Sequence, residues 1–223
     1  MTGSAQVRRI GFASLLAGAV LLFAGCGDNS PRNRAVYMLM DTSGTYTQEL
    51  DKAQAIINYL LITLDSGDSL AVGRIDSGSF SEKDIIAKVT FDDRPSAASA
   101  QKRVFRQKVD DFVKHVKGSP YTDISGATLQ AVEFLNETQA RDKFILIFSD
   151  LKEEIEKGKV RDFDLPLDKI KVIALNVTKL RSDNIDPREY LDRLDSWSRR
   201  VTSGGGTWRV VNDLDHIDTL LDS

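Results

Sequence analysis

Ala35-Val36-Tyr37-Met38-Leu39-Met40, running without a break into Asp41-Thr42-Ser43-Gly44-Thr45, is the stretch that decides the fold. Six consecutive apolar residues are too few for a buried helix and read as a strand covered on both faces, as in the middle of a parallel sheet. The hydroxyl, carboxylate and glycine residues after it read as a loop at the strand's carboxyl end. Working outward, residues 46–64 place Leu50, Ala53, Ile57, Leu60, Leu61 and Leu64 at helical spacing. Ser69–Ile75 and Ile85–Phe91 read as strands, and residues 97–117 as a helix through Phe105, Val109, Phe112, Val113 and Val116. A third helix from Asp123 to Gln139 buries Ile124, Ala131, Val132 and Leu135.

Phe144–Phe148 and Ile170–Val177 read as further strands. Asp186-Pro187 opens a helix, with the aspartate as N-cap and the proline in the first turn. That helix carries Tyr190, Leu191, Leu194, Trp197 and Val201, and Gly204-Gly205-Gly206 ends it. Thr207–Val211 reads as the last strand and Asn212–Leu221 as the last helix. Strands alternating with helices predict an α/β fold with a doubly wound, mostly parallel central sheet and helices on both faces.

Composition removes several functions. With one cysteine among 223 residues there is no internal disulfide, and His115 and His216 stand too far apart to complete a Cys/His zinc site. A net charge of −3 leaves no electrostatic footprint for nucleic acid. The start of the chain differs from the rest. Arg8 and Arg9 precede 18 uncharged residues, Ile10 to Gly27, the layout of a secretory signal. An uncleaved anchor is the other reading of such a run.

The position of the cysteine discriminates between them. Leu22-Phe23-Ala24-Gly25-Cys26 resembles the bacterial lipobox, in which the thiol is acylated and the chain is cut just before it, although Phe23 replaces the usual aliphatic residue. The resemblance implies a signal peptide over 1–25, a lipidated Cys26 with a polar tether over 26–33, and a domain over 34–223. It places the protein on the cell membrane or outer membrane through its lipid, with the domain in the periplasm or on the cell surface. Gly27 where inner-membrane lipoproteins carry aspartate points to the outer membrane, in a cell that has one.

Ligands of open α/β sheets bind at the carboxyl ends of the strands. Three such places carry oxygen-bearing side chains: Asp41, Ser43 and Thr45; Thr122 and Asp123; and Ser149 and Asp150. A set of carboxylates and hydroxyls without nitrogen or sulfur suits a hard cation, Mg²⁺ or Mn²⁺. Asp41-Thr-Ser43-Gly-Thr45, followed by Thr122 and Asp150, resembles the metal-ion-dependent adhesion site of von Willebrand factor type A domains, whose signature is Asp-x-Ser-x-Ser/Thr. The resemblance spans roughly residues 34–222. It implies that Asp41, Ser43, Thr45, Thr122 and Asp150 hold the ion, directly or through water, and that an acidic side chain of a protein partner completes its shell. Leu151 departs from the pattern, since many relatives carry glycine there.

Each residue also has a purely structural reading. Asp41 and Ser43 could cap the 46–64 helix, Thr122 or Asp123 the third helix, and Asp150 could sit in a turn. Asp76-Ser-Gly-Ser reads as a turn, and Lys102, Arg103, Arg106 and Lys108 read as the solvated face of their helix. His115 reads as structural or surface, Trp197 and Trp208 as core. The alternative chemistry is a haloacid-dehalogenase-type phosphatase, with Asp41 as nucleophile assisted by Mg²⁺. A helix starting straight after Thr45 favours adhesion, whereas a hairpin inserted there favours the phosphatase. With no histidine, cysteine or lysine expected at the rim, the reading is a non-enzymatic, membrane-anchored, metal-dependent binding module.

Overall fold

In the computed structural model the described residues are 33–44, 46–76, 78, 80–158, 160–213, 217 and 219–221. Their elements are β1 (Arg34–Asp41), α1 (Leu50–Thr63), β2 (Ser69–Ile75), β3 (Ile85–Thr90), α2 (Pro95–His115), α3 (Ile124–Glu137), β4 (Asp142–Phe148), β5 (Ile170–Leu175), α4 (Pro187–Ser203) and β6 (Thr207–Val211). The signal segment, Cys26, the tether as far as residue 32, and Thr45 lie outside the described residues. No helix among the described residues is long and apolar enough to cross a membrane.

The strands form one sheet in the order β3-β2-β1-β4-β5-β6. β1 pairs in parallel with both neighbours, Met40 standing opposite Arg74 of β2 and Phe148 of β4. Seven of its eight residues are buried. Alternate side chains enter opposite layers, as the pleat requires. Val36, Met38 and Met40 join the core under α1 and α2, while Ala35, Tyr37 and Leu39 join the one under α3 and α4. The Tyr37 ring lies so close over β2 that a Cβ on Gly73 would meet its hydroxyl at 2.6 Å.

β3 runs antiparallel to β2 at the sheet edge. The described residues of the connection from Asp76 to Asp84 hold one 3-10 turn (Glu82–Asp84), and nine residues are too few for the crossover that a parallel return needs. The helix expected over 46–64 begins as a 3-10 turn, Thr47–Glu49, and becomes α-helical at Leu50. Asp41 and Ser43 do not cap it; Tyr46 and Glu49 occupy the two cap positions without a side-chain capping bond. Asp123 does cap α3, accepting from Gly126 N at 2.9 Å, and Asp186 caps α4 ahead of Pro187.

Leu191 is 58% exposed rather than buried. Tyr190, Leu194, Trp197 and Val201 follow the helical repeat toward the sheet, and position 191 lies a third of a turn off that stripe. Trp197 is buried, Trp208 partly so, and His115 is exposed. No α-helix forms among the described residues of 212–221. Asn212 holds the chain beside β5 instead, its Oδ1 accepting from Val177 N at 2.8 Å. Leu220 N–H bonds Ile217 O in a single tight turn, and Leu220 and Leu221 pack into the α1/α2 core.

Candidate functional site

Parallel pairing of β1 with β4 delivers their carboxyl ends side by side, although 108 residues of chain separate the groups that meet there. Ser149 Oγ donates to Asp41 Oδ2 at 2.6 Å, and Ser43 N–H donates to Asp41 Oδ1 at 2.8 Å. Asp150 follows immediately, its Oδ1 accepting from Lys152 N at 2.8 Å. The loop before α3 is stitched to the same edge. Ser119 N–H donates to Thr42 O at 2.7 Å, Thr42 Oγ1 donates to Ile75 O at 2.8 Å, and Ser119 Oγ donates to Asp76 Oδ1 at 2.5 Å. Thr122 and Glu154 exchange both backbone hydrogen bonds, at 2.8 and 3.1 Å. Asp41, Ser43, Thr122 and Asp150 are thereby gathered at one end of the sheet, while Thr45 lies outside the described residues.

Asp41 and Asp150 are 0% and 5% exposed. Burial pushes the Asp41 carboxyl above its ordinary value; the bonds from Ser149 and Ser43 oppose that shift without cancelling it, and the nearby Glu154 charge adds to it. Asp150 is raised in the same way, first by burial and then by the Asp41 charge, against the pull of the Lys152 N–H, Arg193 and the Lys152 charge. Four other buried aspartates contrast with this pair. Asp68 meets Arg34 at 2.9 Å, Asp84 meets Arg74 at 2.8 Å, Asp123 meets Arg161 at 2.6 Å and Asp183 meets Arg193 at 2.9 Å. Asp41 and Asp150 form no ion pair with any described residue.

Hydrogen bonds tie the elements around the rim together. Tyr46 donates its hydroxyl to Asn176 O at 2.5 Å, and Asn176 Nδ2 returns bonds to Tyr46 and Glu49 at 3.0 and 3.1 Å, tying the start of α1 to the end of β5. Arg193 Nε donates to Asp150 O at 2.8 Å while its guanidinium is held by Asp183. On the α3 side Arg200 bonds Ser125 Oγ and Glu153, and Arg161 forks onto Asp123. A Cβ on Gly126 would meet that Asp123 carboxylate at 2.6 Å.

Leu151 stands where glycine was the expected residue, and it takes a glycine-like backbone conformation with φ +64°. Its side chain is buried in the α3/α4 core, Ser149 Oγ accepts its N–H at 3.0 Å, and Trp197 Nε1 donates to its carbonyl at 3.0 Å. Packing and two hydrogen bonds therefore offset a strain of about 1–2 kcal/mol.

Sequence spacing missed three groups. Glu154 faces Thr122 across loops with no local pattern joining them. Arg193 reaches Asp150 from a helix 43 residues away. Lys152 corrects the expectation of a rim without lysine: its charge acts on Asp150, and its Nζ pairs with Glu154 Oε1 at 2.6 Å. Asp76 was read as a turn residue, and its place at the end of a buried strand was the available signal.

No three side chains of the His, Cys, Asp and Glu types gather to hold a metal among the described residues. The all-oxygen set nonetheless suits a hard divalent cation: two buried carboxylates form no ion pair with a described residue, and a hydroxyl residue, Ser43, is half-buried beside them.

No family model matches the chain, and no curated protein matches it. Solved structures do. A von Willebrand factor type A structure from Catenulispora acidiphila aligns with a TM-score of 0.50 and 14% identity, covering 86% of this chain and 40% of that one. The open conformation of a pilus adhesin from Lactobacillus rhamnosus GG gives a TM-score of 0.50 and 10% identity, covering 86% and 29%. This chain thus spans less than half the length of either structure. At such identities the likeness concerns the fold, which is α/β of the von Willebrand factor type A kind.

Proposed function

We propose that this chain is a non-enzymatic binding module of the bacterial envelope. In this reading Asp41, Ser43, Thr45, Thr122 and Asp150 hold one Mg²⁺ or Mn²⁺, and the ion grips an acidic side chain of a protein partner. The observation that carries the reading is the charge imbalance at the rim: each of the other four buried aspartates has its own arginine, and Asp41 and Asp150 have none among the described residues. Two buried carboxylates raised by burial, with the Asp41 charge acting on Asp150 and the Glu154 charge on Asp41, are stabilised by an external cation. When bound, the ion supplies positive charge with an open coordination position, which attracts a carboxylate from outside. The residues around it fix its donors: Ser149 and the Ser43 amide orient Asp41, and Arg193 holds the Asp150 backbone. Kinship of fold with a pilus adhesin accords with a binding role.

No observation favours the phosphatase. Ser43 and Gly44 lead directly to Tyr46 and the turn Thr47–Glu49, which leaves no length for an inserted hairpin.

Calorimetric titration with Mg²⁺ and Mn²⁺ tests the site. Saturable binding is expected, lost in Asp41→Ala and Thr122→Ala variants whose circular dichroism is unchanged. Absence of saturable binding, with and without an acidic peptide, would refute it. Attachment through Cys26 is tested separately: Cys26→Ser is expected to leave the membrane fraction or to remain uncleaved.

A further inference from the structure

We infer that the face formed by Lys102, Arg103 and Arg106 of α2 with Ile62 of α1 rests on an anionic phospholipid surface, so that the site edge points away from the membrane. The inference rests on the lipid anchor proposed at Cys26. Its position in the fold comes from a chain of contacts at the start of β1. Asn33 O accepts from Arg141 and Asp142 at the entry of β4. Next to it, Arg34 Nη2 donates to Thr63 O at 2.9 Å, and Lys102 Nζ donates to the adjacent Leu64 O at 2.5 Å. The basic stretch of α2 therefore begins beside the point where residue 33 joins the domain. From Cys26 to Asn33 the chain spans at most about 25 Å.

The chemistry of the face fits a lipid surface. Lys102, Arg103 and Arg106 line a shallow hollow with Asn58, Leu61 and Ile62. Arg103 and Arg106 are exposed and form no ion pair among the described residues. Of the acids near residue 33, Asp65 and Asp68 are engaged by Arg34 and Asp92 by Arg94, while Asp93 is exposed beside Gly67 and Asn33. Ile62 is 81% exposed in the midst of these cations, as at the apolar centre of an interfacial patch. This cationic cluster stands out on a chain whose net charge is −3. Near an anionic surface each basic side chain adds roughly a fivefold preference, within a screening length of about 8–10 Å. β1 climbs about 23 Å from Arg34 to Asp41 at about 3.3 Å per residue, so the Asp41 edge stands clear of that surface.

The test uses the full-length lipidated chain carrying Ile62→Trp, reconstituted into vesicles of phosphatidylcholine alone or of equal parts phosphatidylcholine and phosphatidylglycerol. In the anionic vesicles the introduced indole is expected to emit to the blue and to be quenched by brominated acyl chains, both effects reversing with salt. Arg103→Glu with Arg106→Glu is expected to shift the docked-to-undocked ratio more than about twentyfold. Equal emission in the two kinds of vesicle would overturn the inference, as would an equal blue shift with soluble heparin, which would assign the face to a dissolved polyanion. Flotation with neutral vesicles reads the anchor alone. If the protein does not float there, the anchor proposal fails, and emission in the anionic vesicles still decides the face.

Discussion

Asp183 and Asp41 are both fully buried aspartates near the carboxyl ends of strands, and their carboxyls are displaced in opposite directions. Arg193 donates twice to Asp183 and holds it below the ordinary carboxylate range, helped by the Leu180 N–H. Asp41 receives one hydroxyl and one amide, neither charged, and burial raises it. Asp123, Asp84 and Asp68 follow the arginine-paired pattern, and Asp150 follows Asp41. The difference separates two uses of a buried carboxylate. An arginine partner makes it a clamp between elements, complete within the chain. Neutral donors alone leave charge that a ligand can neutralise, and both aspartates of that kind lie at the predicted metal edge.

The largest way to break this comparison is Asp183→Ala. It strands Arg193, whose side chain is 12% exposed, and is expected to cost about 3–5 kcal/mol in urea denaturation. Asp41→Ala in metal-free buffer is expected to cost far less; equal losses at the two sites would erase the distinction. Next, Mg²⁺ at a hundred times its dissociation constant should stabilise the wild type by about 2.7 kcal/mol and Asp41→Asn by nothing measurable. Leu151→Gly asks how much the loop beside Asp150 depends on its buried side chain. Relief of about 1–2 kcal/mol of backbone strain is set against a loss of about 2–5 kcal/mol of packing. A net loss with Mg²⁺ affinity retained is the expected outcome.

The smallest effect is the pH dependence. Raised carboxyls at Asp41 and Asp150 favour the protonated form in the folded state, so their contribution to stability is present below the ordinary aspartate value and fades as pH rises through the raised ones. Asp183 has the opposite sign: its contribution is present above the ordinary value and is lost as pH falls through the lowered one. Thermal melts of Asp41→Asn without divalent ions should therefore decline less from acid to neutral pH than those of the wild type. Added Mg²⁺ should abolish the decline in the wild type.

Local signals were the readable part. The apolar run of β1, the Asp186-Pro187 helix start and the stripes of α1 and α3 all appear where periodicity and capping place them. The rest depended on a partner elsewhere in the chain. The antiparallel sense of β3 within the mostly parallel sheet follows from a short connection pairing back on β2, and Asn212 is held by Val177 at the end of β5. Arg193 reaches Asp150 only because α4 lies against the loop after β4, whereas Lys152 stands two residues along that same loop. The lipobox at Cys26 and the hydroxyl at Thr45 lie outside the described residues.

By itself, then, the sequence determined which segments are buried on two faces and which oxygen-bearing residues leave strands at their carboxyl ends, because strand and helix periods are written in neighbouring residues. Only the tertiary structure decided which buried acids find an arginine. That outcome depends on side chains dozens of residues apart meeting in a medium where an unpaired charge is costly, and no local pattern records it.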